Sequence, residues 1–197
     1  MNFEDVRAYL PKYLSPATEE RLFKDLVMFP DNIDSRMYTH LGKSVVYQGD
    51  VLTDLTIVRL PECSTKNRPG MVLSNTCDLD GNNARLQQIR VLYAPVVSLT
   101  KYRELLKKHG VVEEKTRTHI TNIRKQRITQ IFYLPTGPSI SESIVFFDSV
   151  VSNRPSALPS PVGAHRLVSL SQYGFYLLLY KMSIHFTRLA EGVDRGL

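Results

Sequence analysis

Arg68-Pro69-Gly70-Met71-Val72-Leu73-Ser74-Asn75-Thr76-Cys77-Asp78 is the stretch on which the fold turns. Residues 70–73 form a short apolar run between turn-forming neighbours, a pattern that fits a buried strand better than a helix. Pro69 has no N–H to give to a ladder, so it belongs at the first position of that strand. Arg68 then stands at the mouth of the loop before the strand, and Cys77 and Asp78 at the mouth of the loop after it. A cation, a thiol and a carboxylate near the rim of one sheet are the ingredients of an active site.

Working outward, residues 51–60 mix Val, Leu and Ile with Thr and Asp and predict a twisted strand with one face partly wet. Residues 87–99 alternate in a mostly apolar register, residues 128–134 and 143–147 add two more strands, and Asp148 follows directly. Strands joined by short loops predict an antiparallel meander or small barrel. Residues 1–44 predict a helical extension: Ser15 and Pro16 suit a helix start, and Leu22, Phe23, Leu26 and Val27 form an apolar stripe. A closing helix is predicted over about 170–191, with Ser169 and Gln172 as a capping box and Gly192 at its far end. The expected division is therefore 1–44 and 45–197.

The 197 residues carry a net charge of +6, which points to an anionic partner. Nucleic acid leads and an acidic protein follows. Residues 101–127, a helical insert between the strands, hold nine Lys or Arg against three Glu, a charge as large as that of the whole chain. Arg124, Lys125 and Arg127 of this insert, with Lys66 and Asn75 flanking the Arg68 strand, form the expected nucleic-acid-binding set. Two cysteines in a chain of this size fit a reducing, cytoplasmic setting. The acidic start resembles no secretory leader, and the longest apolar run, residues 175–180, is too short to span a bilayer. The five histidines show no metal-ligand spacing and no phosphate-cradling glycine motif occurs, so neither metal nor cofactor is expected. Cys77 is read as a buried structural cysteine, because the Asp78 charge beside it opposes a thiolate.

In their order, several short motifs resemble the MazF/PemK family of toxin ribonucleases. They are Gln48-Gly49-Asp50-Val51, Arg68-Pro69 with its apolar strand, Pro95-Val96-Val97-Ser98, Ser143-Ile144-Val145-Phe146-Phe147-Asp148, and Leu170-Ser171 opening the last helix. The resemblance covers roughly residues 45–190. It implies an SH3-like barrel, mainly β with helices, that forms a homodimer, pairs with an antitoxin and cuts single-stranded RNA without metal. In such enzymes a ribose 2′-OH attacks the adjacent phosphate. Arg68 would then bind the phosphate through its planar fork, Asp148 or Asp78 would move protons, and Ser98 would assist. Two positions depart from the family pattern. Val97 stands where the family has its catalytic Thr, with Ser98 one place on, and Phe146 stands where it has an Arg. These departures support an alternative, a catalytically silent barrel that binds protein or nucleic acid within a larger complex.

Overall fold

The computed structural model describes residues 33–187 apart from positions 43, 60, 81, 82, 84, 85, 87 and 88, together with isolated positions before residue 33. The helix expected around Ser15 and the apolar stripe from Leu22 to Val27 lie outside the described residues, as does Gly192.

A 3-10 turn, Ser35–Met37, opens onto β1 (Tyr38–Thr39), β2 (Val51–Arg59) and β3 (Ser64–Val72). A short helix, α1 (Thr76–Leu79), precedes β4 (Val91–Ser98). The helical hairpin α2 (Leu99–Lys108) and α3 (Glu113–Arg124) leads to β5 (Ile131–Leu134), β6 (Ser143–Phe146) and β7 (Val151–Asn153). The chain closes with α4 (Val162–His165), β8 (Arg166–Leu170) and α5 (Gln172–Thr187). The fold is mixed α+β, an eight-stranded antiparallel sheet in the order β1-β8-β2-β3-β4-β6-β5 with β7 also on β4. The sheet is not closed by a ladder. Instead Tyr38 on one edge strand donates its hydroxyl to the carbonyl of Pro135, just past the other edge, at 2.6 Å.

Several boundaries differ from the sequence reading. β3 begins at Ser64, so Pro69 is interior to the strand and Arg68 pairs with Leu55 of β2. The interior proline is tolerated because its missing N–H would face β4, which no longer pairs with β3 at that position. Opposite it β2 carries an extra residue: Leu52 faces Gly70 and Leu55 faces Arg68. Asp54, in this bulge, takes the left-handed φ of 58°. Ser169 lies in β8 rather than capping the last helix, and its hydroxyl donates to the buried Asp50 carboxylate at 2.5 Å. The helix cap is Ser171, whose Oγ accepts the Gly174 N–H at 3.2 Å. The end of the expected N-terminal extension belongs to the sheet, since Tyr38 pairs with Leu170 and Met37 is fully buried.

Three apolar clusters hold the layers together. The largest joins Val51, Met71, Val96, Val145 and Val168 of the sheet to Tyr173, Leu177 and Leu178 of α5. A second lies under Leu52, Leu55, Val72 and Tyr93. The third seats α2 and α3 on β5 and β6 through Leu99, Ile120, Ile123, Tyr133 and Ile144. Burial of these side chains is the main favourable contribution to the fold.

Candidate phosphate-binding cleft

The site begins with Pro69. β3 pairs with β4 only at Gly70–Pro95, Met71–Ala94 and Val72–Tyr93. Beyond that point β3 continues along β2 to Ser64, while β4 continues along β6 to Ser98. Pro69 lacks the N–H that the next β3–β4 pair, with Val96, would need, and the two strands part there. A cleft of about 510 Å³ opens where they separate. Val96, Ile140 and Ser143 line its buried part, with Pro69 and Leu167 beside them. Arg68, Ser98, Lys101, Ser139 and Ser141 supply its polar walls.

The electrostatics of this cleft are one-sided. Its lining includes two cations and no carboxylate. Among the described residues, the side chains of Arg68 and Lys101 have neither a hydrogen bond nor an ion pair. Ser98 is the N-cap residue of α2, yet its hydroxyl makes no capping bond. Ser143 Oγ donates to the Ser141 carbonyl at 2.9 Å and keeps its lone pairs for a ligand. Two uncommitted cations with hydroxyl groups around an apolar base suit a phosphodiester and its attached sugar or base.

Ser98 reaches the cleft despite the one-residue offset from Val97. Strict alternation would put the two on opposite faces of a sheet. Both line the cleft, because β4 has lost β3 as a neighbour and turns into α2 at Ser98. Phe146, at the position where the resemblance implies an Arg, packs edge-on to Tyr102 of α2, ring centroids 5.7 Å apart.

The two predicted carboxylates are not part of this lining. Asp148 is exposed in the interruption between β6 and β7, where its Oδ1 accepts the Ser149 hydroxyl at 3.2 Å. It stands two residues past Phe146, the end of β6 opposite to Ser143. Asp78 is in α1, which follows the other end of β3. The expected convergence of positions 68, 78, 98 and 148 is thus realised only for 68 and 98. The cause is the length of β3: a strand running from Ser64 puts its middle, not its mouth, at Arg68.

The remaining candidates divide similarly. Asn75 caps α1, its Oδ1 accepting the Cys77 N–H at 2.9 Å. Cys77 itself is exposed, correcting the expectation of a buried thiol. Lys66 is exposed on the β2–β3 ribbon opposite Ile57. Lys125 and Arg127 follow the far end of α3. Arg124 is already engaged: its Nε and Nη2 donate to the two Glu142 carboxylate oxygens at 2.8 and 2.7 Å, and Tyr133 donates its hydroxyl to Oε1 at 2.5 Å. The Arg124 fork holds the Glu142 carboxyl below the usual carboxylate range, with the Tyr133 hydroxyl adding to the effect and burial opposing it. A guanidinium spent on a bidentate carboxylate carries little net charge to a phosphate.

Sequence reading missed the serines at 139, 141 and 143 as a group and Lys101 as an individual. The run Gly137-Pro138-Ser139-Ile140-Ser141 reads as a loop. Only the pairing of Ser98 with Ser143 brings it against Arg68. Among the described residues, no group of three or more His, Cys, Asp or Glu side chains is placed to hold a metal ion, and no helix is long and apolar enough to cross a membrane. No family model matches this sequence, and no curated protein matches it.

Proposed function

We propose that this protein acts on single-stranded RNA as an endoribonuclease of the MazF/PemK kind, with a backbone phosphate seated between Arg68 and Lys101. One observation carries the reading: two cations without partners among the described residues share a cleft with four serines and no acid. Arg68 forks the non-bridging oxygens, and Lys101 balances the remaining charge. The 2′-oxygen attacks phosphorus, the bond to the 5′-oxygen breaks, and the products are a 2′,3′-cyclic phosphate and a 5′-hydroxyl. The proton lost by the 2′-OH and the one gained by the 5′-oxygen balance. Charge gathering on phosphorus in the transition state is what Arg68 stabilises. The curl that carries Tyr38 to Pro135 supports an SH3-like barrel whose last gap is bridged by a side chain.

A second reading, binding without cutting, is favoured by the placement of Asp78 and Asp148 outside the cleft. The lining then offers no carboxylate or imidazole to accept the 2′-OH proton. One experiment separates the two: incubation of labelled single-stranded RNA with wild type and Arg68→Ala in EDTA, with binding and product ends followed together. Cleavage that falls about 100-fold or more in Arg68→Ala supports the nuclease. Binding that depends on Arg68 without any cutting supports the silent barrel, and Arg68-independent binding removes both.

A further inference from the structure

We infer a second phosphate subsite on α2–α3, centred on Arg117, that takes the next phosphate of the same RNA strand; it rests on the RNA reading of the Arg68 cleft. A separate cavity of about 290 Å³ lies between these helices, lined by Thr100, Arg103, Arg117, Thr121, Arg124 and Glu142 together with apolar Leu99 and Ile120. It adjoins the Arg68 cleft through consecutive residues. Leu99 and Thr100 line one cavity while Ser98 and Lys101 line the other, and Glu142 stands between Ser141 and Ser143 in the same way. The first turn of α2 is the partition.

The three arginines here are not equivalent. Arg124 is held by Glu142, and Arg103 forms an ion pair with Glu113 across the helical hairpin. Arg117 is exposed and has no side-chain hydrogen bond or ion pair among the described residues. Glu142 adds no free negative charge to the wall, because the Arg124 fork occupies both its oxygens. The uncommitted cations therefore run from Arg68 and Lys101 in one cleft to Arg117 in the next, with the Thr100 hydroxyl between them. A strand crossing α2 at its first turn meets a cation on each side. Backbone recognition of this kind needs charge and spacing, not base identity.

The test uses the full chain and 5′-labelled oligouridines of four and twelve nucleotides, with affinity measured by fluorescence anisotropy across a potassium chloride series. Loss of one single-strand phosphate contact lowers the slope of log K against log salt by about 0.7, or about five-fold in affinity at 0.1 M salt. Arg117→Gln is expected to show that loss on the longer oligonucleotide and a smaller one on the shorter. Arg117→Lys is expected to restore the slope, which a purely structural role would not do. Arg154→Gln, an exposed cation away from both cavities, is the charge control. An Arg117→Gln slope equal to wild type, or a loss matched by Arg154→Gln, overturns the second subsite while the Arg68 reading stands. Wild type that binds neither oligonucleotide overturns the RNA reading itself, and the subsite with it.

Discussion

At the scale of single residues, two charged side chains tie stability to pH in opposite directions. Lys181, on α5, is 3% exposed, and its ammonium donates to the carbonyls of Gln126 and Ile128, each at 2.7 Å. Burial pushes it down to about 8 from 10.5. The unfolded chain therefore holds more protons than the folded one between those values, and stability rises with pH across that window. Urea unfolding at pH 7.5 and 9.5 should show wild type gaining on the order of 2 kcal/mol relative to Lys181→Met. Equal slopes for both proteins would show that Lys181 does not titrate in this way. Glu142 behaves oppositely. Its lowered proton affinity gives stability that is present above the ordinary glutamate range and lost as pH falls through its folded value. Glu142→Gln should cost about 1–2 kcal/mol near neutral pH, and that deficit should shrink as wild type is acidified. A deficit independent of pH would assign Glu142 a packing role instead.

At the scale of elements, the sheet manages its edges with side chains. Gln126, in the left-handed region at φ 54°, donates from Nε2 to the Tyr133 carbonyl at 2.8 Å and accepts the Tyr133 N–H at 3.0 Å. Its amide stands in for a ladder neighbour of β5 and blunts that edge. Gln126→Ala leaves both backbone groups unsatisfied and should lower unfolding free energy by about 2–4 kcal/mol, measured by denaturant unfolding. A change below measurement error would mean that water replaces the amide without cost. Gly174 of α5 sets the docking of that helix. Ala in an open helix position gains about 1 kcal/mol over Gly. Here an added Cβ would lie 2.5 Å from the Met37 carbonyl oxygen, a backbone atom that cannot swing aside. Overpacking, typically about 1–3 kcal/mol, outweighs propensity, so Gly174→Ala should lower Tm. An unchanged or raised Tm would show that the Ser35–Met37 turn yields. Most strands and the helical insert were legible from period and punctuation, because apolar alternation follows burial directly. β1, β7 and β8 were not: the first two are only two and three residues long, and Ser169 in β8 reads as a helix cap. The extent of β3 was masked by Pro69, whose place opposite a bulge in β2 is a property of the pair of strands.

At the scale of the whole molecule, the candidate site is a consequence of strand divergence. Neither Arg68 nor Ser98 carries a local signal of its partner, because thirty positions and a change of ladder separate them. The resemblance brought these two to the same place, and the structure agrees on that pair. It put Asp148 there as well, and the local reading of the Arg68 strand added Asp78, but a nine-residue β3 and the interruption after Phe146 carry both elsewhere. The basic insert keeps its charge at the cleft only in part, since two of its arginines are committed to Glu113 and Glu142. The most direct measurement is amide chemical-shift mapping of the full chain titrated with a short oligouridine. Expected are concentration-dependent shifts at Arg68, Ser98, Lys101 and the serines of 139–143, with the α1 and Asp148 regions unmoved. Shifts confined to those last regions, or none anywhere, would contradict a phosphate seat between Arg68 and Lys101.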